Sequence, residues 1–312
     1  MPAQRRKRRN NVVIAVNPKS GTGQRLGMVR ALAERLERRG FATHAAEQLD
    51  EILATVSRFE AEDSLQAVVC AGGDGTAGLL VNRLPAGFPL AVLPLGTENL
   101  LAKYLGISPD PDQVAQMIDD GRVVTMDVGR ANGRYFLIMA SCGFDAAVVR
   151  RMHGQRRGNI GHLSYLRPLW ETITSYRYPA LRVVIDGKPL PVHPSWAFVF
   201  NAPRYAMNLA IAPEASGFDA TLDVCTFEKG SFWNGLMYIF TIWLKQQRRW
   251  RDATHDRCKS VRIESDHDVP YQLDGDPGGV LPVAIDVVPR FLNVFVPAPF
   301  IVPEEAEKAD AG

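Results

Sequence analysis

The sequence predicts an α/β chain of two domains, and three observations carry that prediction. Its 312 residues, 46% hydrophobic and 22% charged, suffice for two cores of ordinary domain size. From Asn11 to about Met126, short β-branched runs alternate with helical patterns, as in a parallel sheet with helices on its faces. Beyond Thr125, strand follows strand with turn residues between, which predicts a second, mostly antiparallel domain.

In chain order, NVVIAV (Asn11–Val16) reads as a strand. GQRLGMVRALAERLERRG then places Leu26, Val29, Ala33 and Leu36 on one helical face and closes on Gly40. LQAVVCA is the next strand, and AGLLVNRL a helix with Ala77, Leu80, Val81 and Leu84 along one side. FPLAVLPL is a further strand, followed by helices near Asn99–Tyr104 and Asp110–Asp119. VTMDVGRANGRYFLIMASCGFDA reads as two strands joined at Asn132-Gly133, a pair that favours the type I′ hairpin turn. LRVVIDGKPL, SWAFVFNA, TLDVCTFE, KSVRIES, VPYQLDGDP and PVAIDVVP are the remaining strands, with helices limited to about Leu163–Tyr176 and Ser231–Gln247. The expected division is a basic disordered tail over residues 1–10, an α/β domain over 11–127, a β-rich domain over 128–302 and a disordered tail over 303–312.

Net charge is only +2, but RRKRR at Arg5–Arg9 concentrates positive charge near the N-terminus. Such an arm is either solvated or drawn to the phosphates of anionic lipid or nucleic acid. Asn11–Val16 is too short for a secretory apolar core, and GSFWNGLMYIFTIWL at Gly230–Leu244 falls short of the roughly 20 residues that span a bilayer. A cytoplasmic protein without a transmembrane helix is expected. The GSFWNGLMYIFTIWL helix either packs on the sandwich or touches a lipid. Cys70, Cys142, Cys225 and Cys258 form no CxxC pair, so neither disulfides nor a zinc site are expected of them.

Three loops follow apolar strands in the first domain: NPKSGTG, GGDGT and LGTEN. Loops after successive parallel strands open on one sheet edge, where ligands bind. Glycines admit a ligand close to the backbone, and a following helix N-terminus offers unpaired N–H groups, which suits phosphate. Thr76 and Thr97 add hydroxyl donors. GxxxxGK[ST] is absent and no GxGxxG opens the first helix, which argues against a P-loop and a Rossmann dinucleotide site. Asp74 within such a loop needs a cation or a donor beside it, through a magnesium-linked water network or a substrate hydroxyl.

NPKSGTG, GGDGT, PLGTENL and CGFDA, in this order, resemble the catalytic domain of the diacylglycerol kinase and sphingosine kinase superfamily, especially its soluble bacterial lipid kinases. NAPRYAMNLAIAPEASGFDATLDV and YQLDGDPGGVLPVAIDVVP are similar to later segments of that family, so the resemblance runs from about Val12 to Pro297. It implies a three-layer α/β nucleotide-binding domain of the NAD-kinase and phosphofructokinase kind, a mostly antiparallel β-sandwich domain, and an active site in the cleft between them. It also implies ATP bound by Gly72, Gly73, Asp74, Gly75, Thr76 and Thr97, with Asn17 supporting the adjoining loop. Asp145 would join Asp74 around a catalytic Mg2+, and Asp219 with the carbonyls of Ser216 and Thr221 would hold a structural Mg2+. Asp276 takes the place of the family's general base.

Four positions depart from the family's pattern. Leu100 stands where an aspartate is usual, with Glu98 nearby, and Asp276 where a glutamate is usual. Asp219-Ala220 replaces an Asp-Gly pair, and Met207 and Asn208 replace glycines. The reaction implied is phosphorylation of a lipid hydroxyl, diacylglycerol to phosphatidic acid first, at an anionic inner-membrane surface and without nucleic acid. A nucleotide-binding regulatory protein without kinase activity, a sphingoid-base or ceramide kinase and an NAD kinase stay open, as does a homodimer. His153 and His162 lie in RRMHGQRRGNIGH, read as a basic loop that is solvated or touches phosphate; Asp274-Gly275 and Asp186-Gly187 both fit hairpin turns, and Asp186 is read only as that.

Overall fold

A computed structural model describes residues 4–17, 23–154, 175–203, 211–231, 233–234, 237 and 252–300. Most of the NPKSGTG loop, nearly all of the two helices expected at Leu163–Tyr176 and Ser231–Gln247, His162, Met207, Asn208 and the C-terminal tail lie outside these residues. The chain divides into two compact units, Met1–Val128 with Pro289–Gly312, and Gly129–Val288. The first is therefore discontinuous, where the sequence predicted one break near Asp127. Two strands, Arg122–Ala131 and Val283–Phe295, carry the chain from one unit to the other and back.

The first unit is built on a parallel sheet in the order Ala42–Ala46, Asn11–Val16, Leu65–Gly72 and Pro89–Pro94. Asn293 and Val294 extend it, pairing in parallel with Pro89 and Leu90. Leu65–Gly72 and Pro89–Pro94 are buried along their whole length, which is why both read as continuous apolar runs rather than as alternation. Helices span Gly23–Arg38, Leu49–Ala61, Asp74–Val81, Leu100–Tyr104 and Pro111–Asp120. Asp110 caps the last of these by accepting from Asp112 N at 2.9 Å, Pro111 follows at the first helical position, and Gly121 ends it at φ 67°.

Ala42–Ala46 and Leu49–Ala61 had no counterpart in the sequence reading. ATHAA is a partly exposed edge strand of alanines, with little β-branched content, and Ile52, Val56 and Phe59 are the buried stripe of the helix that follows. The disordered basic tail is corrected for Gln4–Asn10. Gln4 and Arg5 pair antiparallel with Val123 and Arg122, and Arg6 N donates to Gly121 O at 2.7 Å. Arg6 reaches Leu65 O, Arg9 N donates to Gln66 Oε1, and the Arg9 guanidinium meets Asp63. Arg8 meets Asp119 and Arg39 O, with its guanidinium 4.6 Å from the Phe41 ring centre. The Arg8 guanidinium thus lies at the negative, carbonyl-bearing ends of the Gly23–Arg38 and Pro111–Asp120 helices, where the helix dipole favours a cation.

The second unit is a sandwich. One sheet has the antiparallel order Ala253–Cys258, Leu222–Phe227, Trp196–Phe200, Met139–Cys142, Pro270–Leu273 and Asp276–Val280. The other strands of the unit include Lys188–Pro189, Arg182–Ile185 and Ser260–Glu264, the last paired with Val283–Asp286. The core takes alternate residues from both: Ala140, Cys142, Ala197, Val199, Leu222, Val224, Tyr271 and Leu273 from the first sheet, Val183, Val261, Ile263, Val283 and Ile285 from the second. Asp274 and Gly275 have φ of 50° and 85°, as a type I′ turn requires, and deliver Asp276 to the start of its strand. A helix over Phe144–Gly154, absent from the sequence reading, begins directly after Gly143.

Candidate active site

In the first unit, the GGDGT and LGTEN loops follow adjacent strands paired through Gly72 and Pro94, and Leu95 N donates to Gly72 O at 3.0 Å. The loops touch backbone to backbone. A Cβ on Gly96 would stand 2.5 Å from Gly73 Cα and 2.7 Å from Asn99 Oδ1, so this approach needs glycine. Asn99, at φ 50°, staples its own loop by accepting from Gly96 N and donating to Gly96 O, both at 2.8 Å.

Asp74 opens the Asp74–Val81 helix, and its carboxylate reaches across to the next one. Oδ2 accepts from Leu100 N and Oδ1 from Leu101 N, each at 3.0 Å. It thereby caps the Leu100–Tyr104 helix, whose own N-cap residue, Asn99, makes no side-chain cap bond. The charge that looked awkward in the sequence is held by backbone amides, and Leu100 contributes its N–H where a carboxylate was looked for. The neighbouring Glu98 has its Oε2 3.8 Å from Lys103 Nζ.

Asn17 Nδ2 donates to Thr76 Oγ1 at 2.8 Å, tying the end of the Asn11–Val16 strand to the GGDGT helix. Ala77 N is the first amide of that helix with a partner four residues back, Gly73 O, so the Asp74 and Gly75 amides precede the helical ladder. Gly75 and Thr97 are exposed. Asn17, Gly72, Gly73, Asp74, Gly75 and Thr76 thus gather around one helix start, with Thr97 on the loop packed against it. Such a start suits an anion.

In the second unit, Asp145 sits in the first turn of the Phe144–Gly154 helix. Its Oδ2 meets the Ser141 hydroxyl and accepts from Gln272 Nε2 at 3.2 Å. Gln272 Oε1 in turn accepts from Gly275 N at 2.7 Å, linking Asp145 to the turn that bears Asp276. Asp274 fixes the same turn from the other side: Oδ2 accepts from Leu137 N at 2.6 Å, and Oδ1 from Ile138 N and Met139 N, each at 2.9 Å. Asp276 Oδ1 lies 3.2 Å from His153 Nε2 in the last turn of the helix. His153, read from the sequence as a loop residue, is helical and paired.

Asp219 Oδ1 accepts from Thr221 N at 3.0 Å and Thr221 Oγ1 at 2.8 Å. Burial pushes its carboxyl up, against the opposing pull of the Thr221 hydrogen bonds and Arg257. A half-buried carboxylate in an oxygen-rich turn, with the buried Ser216 Oγ close by in sequence lacking a partner among the described residues, fits a hard cation. The expected catalytic Mg2+ network fits less well. Asp74 and Asp145 each serve as hydrogen-bond acceptors within their own unit, and the described residues hold no group of three or more His, Cys, Asp or Glu suited to a metal.

The sequence reading missed Asn99, Asp274, Gln272 and His153 as parts of these sites. Gln272 was the most legible of them: Tyr271 and Leu273 take the core face, so Gln272 points the other way, and a polar side chain only 2% exposed there needs a partner.

A glycine-lined anion cradle on a parallel α/β sheet, joined to a β-sandwich, defines a class of kinases. Comparison with known proteins places the chain within it. The model of the diacylglycerol kinase catalytic domain matches residues 11–131, and that of the YegS C-terminal NAD kinase beta sandwich-like domain matches residues 138–296. The chain belongs to the diacylglycerol kinase-like family of bacterial lipid kinases and is a lipid kinase phosphotransferase. It is 26% identical to a diacylglycerol kinase of Staphylococcus aureus over 295 residues, 93% of each chain. It is 24% identical to one of Staphylococcus carnosus over 303 residues, 93% of this chain and 96% of that one. A diacylglycerol kinase structure from Bacillus anthracis superposes with a TM-score of 0.69 at 23% identity, covering 94% of this chain and 99% of the other. An NAD kinase from Archaeoglobus fulgidus in complex with ATP gives 0.53 at 13% identity, covering 93% and 94%. At these identities the two structures show a shared fold. Among the described residues no helix is long and apolar enough to cross a membrane.

Proposed function

We propose that the protein transfers the γ-phosphoryl group of ATP to the free hydroxyl of diacylglycerol, forming phosphatidic acid and ADP. The supporting observation is the contact of the GGDGT and LGTEN loops through Gly73 and Gly96, which brings glycine backbone and the first-turn amides of Asp74 and Gly75 to one helix start. Amides held in place before the substrate arrives neutralise phosphate charge without reorganising, and positioning with charge neutralisation is most of what phosphoryl transfer requires. Thr76 and Thr97 add hydroxyls to the same cradle. Leu100 does not disable it, because that position works through its backbone N–H.

Asp276 is the general base of this reading. It accepts the proton of the lipid hydroxyl as the oxygen attacks phosphorus, and Gln272 with Asp274 holds its turn in place. Asp219, with Ser216 and Thr221, would hold a magnesium ion that stabilises the turn. Diacylglycerol resides in membranes, so the enzyme works at a lipid surface.

The test is a phosphorylation assay with purified protein, ATP and magnesium, against detergent micelles carrying diacylglycerol, ceramide or a sphingoid base, and against NAD in solution. Phosphatidic acid is the expected product, and Asp276→Asn is expected to lower kcat by about 10²-fold or more. Phosphorylation of NAD alone, or of no lipid, overturns the substrate assignment.

A further inference from the structure

Asp276 is one methylene shorter than the glutamate usual at its position, so whatever orients its carboxylate bears on where the accepted proton can lie. Among the described residues one side chain is placed to orient it. His153 Nε2 lies 3.2 Å from Asp276 Oδ1, with the two side chains 26% and 41% exposed. The partners come from different elements, the last turn of the Phe144–Gly154 helix and the first residue of the Asp276–Val280 strand.

That helix is tied to the hairpin at its other end as well. Asp145, in its first turn, accepts from Gln272, and Gln272 accepts from Gly275 N, one residue before Asp276. Asp274 then holds the turn through three backbone amides. The backbone around Asp276 is thus secured by its neighbours, and the remaining freedom is rotation of its own side chain.

We propose that His153 is a positioning residue for the phosphoryl transfer. From this 3.2 Å contact, Nε2–H comes into line on Asp276 Oδ1 in the reacting complex, fixes the carboxylate rotamer and leaves Oδ2 to take the proton of the acceptor hydroxyl. This rests on the reading of Asp276 as general base. In the step itself the acceptor O–H bond breaks and its proton passes to Asp276 Oδ2. The acceptor oxygen bonds to the γ-phosphorus, and the bond to the bridging oxygen breaks with its electron pair leaving on ADP. His153 keeps its proton throughout. An ordinary partly exposed ion pair would instead add little stability and leave turnover alone.

The experiment is steady-state kinetics on His153→Ala, His153→Gln, His153→Phe, Asp276→Asn and the double variant His153→Ala/Asp276→Asn, with diacylglycerol micelles and ATP. Loss of the orienting donor is expected to lower kcat about tenfold in His153→Ala and His153→Phe, with KM for both substrates within about twofold. His153→Gln, which keeps an N–H donor, is expected to recover most of that loss. In the Asp276→Asn background, His153→Ala is expected to cost nothing more. Wild-type kcat in both donor-less variants overturns the role of His153 and leaves Asp276 standing, as does an equal loss with and without the Asp276 carboxylate. Should His153→Ala fail to fold, His153→Phe against His153→Gln decides, and equal rates overturn the inference. Wild-type turnover in Asp276→Asn overturns the underlying base assignment instead.

Discussion

Gly73 and Gly96 show how a single hydrogen can set the shape of a site. Their backbones meet where any side chain would collide, and Asn99 closes the same contact with two hydrogen bonds. Gly96→Ala must displace either Gly73 or Asn99, so it is expected to destabilise the protein by about 1–3 kcal/mol. The same change is expected to weaken ATP binding, read by calorimetric titration beside thermal unfolding; unchanged affinity would show that the loop contact does not shape the nucleotide site. Asp74 illustrates the limit of reading residues singly. A carboxylate in a phosphate loop suggested a metal, yet its two oxygens take the Leu100 and Leu101 amides. Residue type and local spacing identify Asp74 as important, whereas its partners 26 and 27 residues away decide what it does.

At the scale of elements, the basic N-terminal arm is bound by the helix ends it meets. Arg6, Arg8 and Arg9 are committed to carbonyls, carboxylates and an aromatic ring of the first unit, while Arg5 and Lys7 stay exposed. Removing residues 1–10 is expected to lower stability in urea by roughly 2–4 kcal/mol, for several part-buried hydrogen bonds lost together with a strand pairing. A midpoint equal to that of the full chain would return the arm to the role of a solvated tail. Long apolar strands, the helix over Pro111–Asp120 and the Asp274-Gly275 turn were legible because burial, capping and turn chemistry act locally. Ala42–Ala46 was not, since an alanine-rich edge strand is held by its neighbour rather than by its own propensity.

For the whole molecule, all four cysteines are free and buried. Burial pushes the Cys70 and Cys142 thiols far up, and Cys225 and Cys258 up to about 12 from 9.0. The native protein is therefore expected to leave a thiol reagent unreacted, and the guanidinium-unfolded protein to titrate four groups. The sign for stability follows by linkage. With the folded value above the unfolded one, the unfolded chain loses its protons first, so stability falls as pH rises from about 9 towards 12. A urea midpoint constant over that window would contradict this.

By itself the sequence determined the α/β-then-sandwich order, the glycine loops and the carboxylates worth attention, because periodicity, turn residues and short motifs are properties of adjacent residues. Only the tertiary structure decided that the C-terminal strand returns to the first unit, that Asp74 caps a distant helix, that Gln272 bridges Asp145 to the Asp276 turn, and that His153 faces Asp276. Each of these joins residues far apart in the chain. Their partners are chosen by the packing of sheets and helices against one another, and no local spacing encodes that choice.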